Sequence, residues 1–358
     1  MPLTVGIIGC GRMGQLYAEV YNTLPETELV AIAEMNPERL RVVGERFGVD
    51  ALFADARQML DAVTPDIVAV VLPGKYIKDA VVAAAEAGVG GISTDKPIGA
   101  VLSEVDEMVD ACVKAGAVFA GGNLQRAMTE VQQAAARLKS GEFGPILGAS
   151  VHRFGGEISG GGCQHVAVLR LLTGAEVTEV TAWGDPPEAL DQEDDEGLQI
   201  NGQFRLSHGI VCPVFAHETS CRGVEVWTED TLVRWDWGVP QIFRGFDAQG
   251  RRQPIDPQFE PAEYPQFGYL GTTIQSFLRV LEQGIEHEDD LFVSGRDLLK
   301  SLEVAVAAKH SALRGSVPLA LPLADRSLAL YPRAYRWLGG DASGLPQSTD
   351  EVAGNTQS

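Results

Sequence analysis

The sequence predicts an α/β protein: an N-terminal Rossmann-type doubly wound parallel sheet, followed by an α+β domain with an open, mainly antiparallel sheet. Three observations carry this expectation. Up to about residue 122, short apolar runs alternate with helical patterns, the signature of parallel βαβ units. The first apolar run leads straight into Gly9-x-Gly11-x-x-Gly14. Beyond residue 122, the runs alternate apolar and polar residues, with connections too short for crossover helices, which implies antiparallel pairing.

Residues 3–8 (LTVGII) read as a buried strand, and Met13, Leu16, Tyr17, Val20, Tyr21 and Leu24 then share one helix face at three- and four-residue spacing. Further strands are expected at 29–34, 66–72, 89–94 and 117–122, with a helix at 78–88. In the second half a helix over 127–141 leads to a strand within 146–154, then strand-like runs at 176–184, 197–206, 209–217, 222–228 and 231–237. Two helices close that domain, one at 272–284 and one opening on the capping pattern Ser294-x-x-Asp297 and running to about Leu313. Acid-rich 187–196 reads as a solvated loop, and 340–358, poor in large apolar residues, as a mobile tail. The expected units are thus 1–122, 123–339 and the tail 340–358.

Composition narrows the function. The chain has 358 residues and a formal net charge of −21, a surface that repels phosphate backbones and anionic lipid, so nucleic acid and membrane partners are not expected. The N-terminus has neither the basic region of a signal peptide nor an unbroken apolar stretch. Five scattered cysteines, with no C-x-x-C pair, suggest reduced thiols in a cytoplasmic compartment. The histidines show no metal-ligand spacing, so no metal is expected.

The glycine motif gives the first chemistry. Gly9 permits a tight turn, Gly11 lets the backbone approach a pyrophosphate, and Gly14 lets helix and strand pack closely. The helix that follows offers oriented N–H groups to the phosphates. Glu34, 20 residues after Gly14 at the end of the second strand, is placed to accept ribose hydroxyls and to repel a 2′-phosphate. The expected cofactor is therefore NAD, with NADP possible because Arg39 follows a turn later. Its expected contacts are Gly9, Cys10, Gly11, Arg12, Met13, Gly14, Glu34, Arg39, Leu72, Pro73 and Lys96.

Lys96 in Ser93-Thr94-Asp95-Lys96-Pro97 lies where a strand ends, and doubly wound sheets bind ligands at the carboxyl ends of their strands. Pro97 biases Lys96 toward an extended conformation, fixing where its side chain points; whether the Lys96–Pro97 bond is cis is left open by the residues. An ammonium there can hydrogen-bond a substrate hydroxyl, stabilise an alkoxide or move a proton. The alternative is a surface lysine paired with Asp95.

Taken together, GIIGCGRMG (6–14), an acid closing strand two, TDKP (94–97), LKSGEFGPILGASVHR (138–153) and GGGCQHVAVLRLLTG (160–174) resemble the glucose–fructose oxidoreductase, inositol dehydrogenase and MocA (Gfo/Idh/MocA) family over residues 3–320. The resemblance implies a Rossmann domain, a second domain used in oligomer contacts (dimer or tetramer), and hydride transfer between NAD(P) and a secondary alcohol of a sugar, sugar acid or cyclitol. It implies that Lys96 contacts the reacting hydroxyl and that His165 is a catalytic base. The acid such proteins place four residues before that histidine is Gly161 here, and Val168 and Ile77 replace two other usual polar positions. Asn123, Arg126, Arg153 and Gln164 are further substrate candidates, and Tyr264, Tyr269, Trp235 and Trp237 are candidates to stack on a sugar. Two other functions stay open: glycoside cleavage with retained NAD, and non-catalytic sensing of NAD or a sugar.

Overall fold

The computed structural model describes residues 1–284 and 289–338. His287 and the expected tail 340–358 lie outside the described residues.

The chain opens with alternating β1 (Leu3–Ile8), α1 (Arg12–Thr23), β2 (Thr27–Ala33), α2 (Pro37–Phe47), β3 (Ala51–Phe53), α3 (Ala56–Ala62), β4 (Ile67–Val70), α4 (Gly74–Glu86), β5 (Gly91–Thr94), α5 (Leu102–Ala115) and β6 (Val118–Ala120). All the pairings among these strands are parallel, in the order β3-β2-β1-β4-β5-β6, so the chain reverses its winding between β1 and β4. Every residue of β4 and β5 is buried, as a sheet covered by helices on both faces requires. The helices end on local chemistry: Asn36 Oδ1 accepts from the N–H groups of Glu38 and Arg39, and Gly48 closes α2 in the left-handed region. The three-residue strand β3 has no counterpart in the sequence reading, being too short to show a period.

The second half continues with α6 (Thr129–Lys139), β7 (Gly148–His152), α7 (Gly161–Thr173), β8 (Val177–Asp185), α8 (Pro187–Leu190), β9 (Gln199–Leu206), β10 (Val211–Phe215), β11 (Val224–Trp227), β12 (Thr231–Trp235), β13 (Gln241–Phe246), β14 (Arg252–Ile255), α9 (Gly268–Gln283), α10 (Gly295–Leu313), β15 (Leu319–Ala320) and α11 (Ala334–Leu338). Its sheet runs β14-β13-β12-β11-β7-β10-β9-β8-β15, antiparallel except where β7 and β10 pair in parallel. The strands alternate buried and accessible residues, so one face packs on helices α7 and α10. The other face leaves Trp183, Val211 and Phe215 exposed.

One helix belongs elsewhere than expected. Leu270, Ile274 and Phe277 of α9 share an apolar cluster with Val5, Ile7, Tyr17 and Tyr21, so α9 covers the first sheet rather than closing the second domain. The expected boundary at residue 122 is therefore crossed a second time by the chain. The helix opened by Ser294 and Asp297 is α10, and its reciprocal capping box is formed. The acid-rich segment 187–196 is only partly solvated: it contains α8, and Asp195 within it is fully buried.

Candidate active site at the carboxyl ends of the parallel strands

The loop between β1 and α1 bears out the packing argument for its glycines. Gly9 has φ +92°, and a Cβ there would lie 2.4 Å from the Val71 carbonyl oxygen. A Cβ on Gly14 would lie 1.9 Å from the Gly9 carbonyl oxygen, so helix and strand touch through backbone alone. Gly11 is the N-cap of α1 without a side-chain cap, and the first turn carries no acid. A helix N-terminus with no side-chain cap on Gly11 is suited to a phosphate. Leu72 and Pro73 follow β4 at the same edge of the sheet.

Glu34 is buried at the end of β2. Its Oε2 accepts from the Cys10 N–H at 2.9 Å and from Arg39 Nη1 at 3.3 Å, while Oε1 accepts from the Asn36 N–H at 2.9 Å. The carboxylate is thereby tied to the glycine turn itself. Arg39, expected a turn further on, is held against Glu34.

Lys96 lies just past β5, and its peptide bond to Pro97 is cis. Asp95 turns its Oδ1 to the N–H groups of Lys96 (2.7 Å) and Asn123 (3.2 Å), so it fixes main chain instead of pairing with the lysine ammonium. Burial, together with the Arg336 guanidinium, holds the Lys96 ammonium below the ordinary lysine range, against the opposing pull of Glu157, Asp95 and Cys163.

The neighbours of Lys96 include residues the sequence reading did not single out. Glu157 lies in the loop between β7 and α7, four residues before Gly161, where the expected acid is missing. It is ion-paired with Arg333 (3.3 Å) and Arg336. These arginines arrive on a C-terminal strap, residues 322–338. Arg326 in the strap pairs with Asp106 at 2.7 Å, and main-chain bonds join Leu330 to Ala100 (3.0 Å) and Arg326 to Ser103 (2.8 Å). Further along, the Trp337 ring packs over Gly74, at the start of α4. Arginines near the chain end carry no local motif; only the apolar Leu328, Leu330 and Trp337 between them hint that the segment docks.

Below this group lies Asp195. Its Oδ2 accepts from the Ser159 N–H at 2.6 Å, and its Oδ1 is buried without a hydrogen-bond partner. Burial pushes its carboxyl up to about 6. The Lys309 ammonium next to it donates to the carbonyls of Gln192, Glu193 and Asp194.

Several expected substrate residues are occupied elsewhere. His165 is buried, with Nδ1 3.1 Å from the Gly161 carbonyl oxygen and Nε2 2.8 Å from that of Arg222, while Phe154, Trp235 and Trp237 surround its ring. Burial lowers its pKa, and its nitrogens face the Gly161 and Arg222 carbonyls, with the Trp237 indole N–H also 3.4 Å from Nε2. Gln164 accepts from the Gln125 N–H at 2.7 Å and donates to the Asn123 carbonyl at 3.3 Å, locking α7 to the end of the first domain. Arg126 reaches the Phe292 carbonyl (2.7 Å) and Asp297 (2.9 Å), an internal ion pair rather than a substrate clamp. Arg153 sits at φ +60° with its side chain on the surface against Glu218. Asn123 stays at the site through its N–H bond to Asp95, and its Oδ1 is buried with no hydrogen-bond partner.

Of the aromatic candidates, Trp235 is fully buried with Nε1 on Gln125 Oε1 (3.1 Å), which makes it core. Trp237, only partly buried, stacks on it at 5.5 Å and approaches Gly161 at the start of α7. Among the described residues no group of His, Cys, Asp and Glu is arranged to hold a metal, and no helix is long and apolar enough to cross a membrane.

The parallel sheet, with its glycine turn at one strand end and Lys96 at another, has the form of a dinucleotide-binding Rossmann domain. Residues 3–122 match the Gfo/Idh/MocA family model, described as an oxidoreductase family with an NAD-binding Rossmann fold. The chain is 31% identical over 138 residues to a D-apiose dehydrogenase of Paraburkholderia graminis, a match covering 38% of this chain and 36% of that enzyme. It is 31% identical over 146 residues to D-glucoside 3-dehydrogenase of Escherichia coli, covering 40% of this chain and 41% of that enzyme. These matches span about two fifths or less of either relative. Solved structures extend the likeness of fold over both domains. An Agrobacterium radiobacter oxidoreductase in complex with NAD+, L-tartaric acid and magnesium has a TM-score of 0.72 at 20% identity, covering 89% of this chain and 98% of that one. Levoglucosan dehydrogenase with NADH also scores 0.72 at 20% identity, covering 90% of this chain and 100% of that one.

Proposed function

We propose that this chain is an NAD(P)-dependent oxidoreductase that transfers a hydride between nicotinamide and a secondary alcohol or ketone of a sugar, sugar acid or cyclitol. The observation that carries the reading is the shared edge of the sheet: the uncapped glycine turn and Lys96 both lie at the carboxyl ends of parallel strands. Relatives named as apiose and glucoside dehydrogenases support the substrate class.

The residues fit a dinucleotide. A loop in which Gly9 and Gly14 leave no room for a Cβ, followed by an uncapped helix, is a cradle for a pyrophosphate. Glu34 would hold the adenosine ribose hydroxyls, with free lone pairs remaining beside its three donors, and favours NAD over NADP. When bound, nicotinamide supplies the hydride acceptor or donor. Lys96 Nζ binds the reacting hydroxyl; in its neutral form it takes the hydroxyl proton, and in the reverse direction its ammonium gives a proton to the carbonyl oxygen. Its lowered pKa brings that exchange nearer to neutral pH. Asn123 lies next to Asp95 beneath Lys96, and His165 and Trp237 pack at the start of α7.

We further infer a homo-oligomer, because the exposed apolar residues of the second sheet's uncovered face suit a subunit contact. A reducing, cytoplasmic compartment agrees with five buried cysteines scattered along the chain without a C-x-x-C pair. The test is nicotinamide absorbance across a panel of sugars, sugar acids and cyclitols. Turnover with some members is expected. No turnover with any of them, while NADH still binds, would count against the reading.

A further inference from the structure

The Glu157 carboxylate sits between two guanidiniums, Arg333 Nη2 at 3.3 Å from Oε2 and Arg336 Nε against Oε1. Glu157 is mostly shielded, its side chain 14% exposed. Both arginines ride on the strap, which is fastened to Ala100 and Ser103 a few residues after Lys96. Arg336 and Glu157 are also among the charges that act on Lys96. Two guanidiniums thus meet on one carboxylate close to Lys96, in a chain whose net charge is −21. Asp95, the other nearby acid, is already hydrogen-bonded to main chain.

A guanidinium fork is the shape that matches a carboxylate through two parallel hydrogen bonds. Here the protein's own carboxylate lies between two guanidiniums, in ion-pair contact with one nitrogen of each. Glu157 is carried by a loop with Gly155, Gly156 and Gly160–Gly162 around it, and Gly156 sits at φ +81°. The main chain of Glu157 is held by its carbonyl, which accepts from the Gly161 (2.8 Å) and Gly162 (3.1 Å) N–H groups, so the carboxylate leaves the arginines by side-chain rotation alone.

We propose, resting on the oxidoreductase reading, that Arg333 and Arg336 form a carboxylate-recognition element and that the substrate is a polyhydroxy acid. The acid group of the substrate replaces Glu157 between the guanidiniums, and the released Glu157 accepts a hydrogen bond from a substrate hydroxyl next to Lys96. The strap therefore sets substrate class, and the internal acid competes with the ligand for it.

The experiment compares matched acid and neutral pairs, glucuronate with glucose and galacturonate with galactose, by kcat/KM with NAD. It adds calorimetric titration of each compound into the NADH-loaded protein. The acid of a pair is expected to be preferred by about tenfold or more, the worth of one charge-assisted contact. Arg333→Gln and Arg336→Gln are expected to drive that ratio toward one, mainly through KM. Glu157→Gln is expected to raise affinity for the acid, because the competitor loses its charge; a purely structural ion pair would give the opposite sign. Equal affinity for acid and neutral members, or a preference untouched in both arginine variants, overturns the proposal. Calorimetry reads the cradle even if no compound turns over, so the failure of the oxidoreductase reading and the failure of this one remain separable.

Discussion

Oδ1 of Asp95 accepts hydrogen bonds from the main-chain N–H groups of Lys96 at 2.7 Å and Asn123 at 3.2 Å, so one carboxylate joins the ends of two strands beside Lys96. Close packing reinforces the join, since a Cβ on Gly122 would come within 2.5 Å of the Asp95 Cα. Asp95→Ala should lower kcat by about tenfold through misplacement of Lys96. Asp95→Asn should largely rescue it, because an amide oxygen still accepts from both N–H groups. Steady-state kinetics on both variants checks this, and equal losses would show that the charge, not the acceptor, matters.

The turn that meets the cofactor has its own signature. Gly14→Ala places a methyl group 1.9 Å from the Gly9 carbonyl oxygen, so α1 must shift away from β1. NADH affinity, read by fluorescence titration, should fall about tenfold or more, with a stability cost of ~1–3 kcal/mol.

Arg126, read from the sequence as a substrate contact, should instead prove to be a stability residue. Asp297 Oδ1 lies 2.9 Å from Arg126 Nη1 and 3.0 Å from Arg170 Nη1, all three largely shielded. Asp297→Ala leaves two buried guanidiniums without this acid and opens the capping box of α10. Urea unfolding should report a loss of about 3–5 kcal/mol.

Asp195 makes stability depend on pH in a predictable direction. Its carboxyl is raised by burial from 3.8 to about 6 in the folded protein. The unfolded chain therefore ionises first as pH rises, and this group removes stability between roughly pH 4 and 6, with the cost constant above that. Asp195→Asn should gain on the wild type across that window, by up to about 3 kcal/mol at neutral pH and by nothing near pH 3. Thermal melts of both proteins from pH 3 to about 8 check the sign. A gap that shrinks with rising pH would refute the assignment.

Much of the fold was legible because its signals are local. The glycine spacing, the three- and four-residue period of α1, the buried runs of β4 and β5 and the capping box of α10 each sit within a short window. Placement over long distances was not legible. The period of α9 showed a helix but not that Phe277 packs beside Tyr17 and Tyr21. The acid run 187–196 looked solvated because composition cannot show that Lys309, more than a hundred residues on, caps its carbonyls beside buried Asp195. Lys96 and the glycine turn were singled out from their positions at strand ends together with the family resemblance, and both lie at the carboxyl edge of the parallel sheet. Glu157, Arg333 and Arg336 were missed, because only tertiary packing of the strap brings them together. His165 matched a family pattern, yet the chain folds the Arg222 carbonyl and Trp237 onto it.

The central claim is that Lys96 acts on the substrate hydroxyl while the glycine turn holds the cofactor. Lys96→Met separates the two on one protein, with NADH affinity and alcohol oxidation measured against pH. The account predicts NADH affinity close to wild type, turnover lowered by about a hundredfold or more, and loss of a pH-rate limb lying below the ordinary lysine range. Unchanged turnover with the limb still present would contradict it.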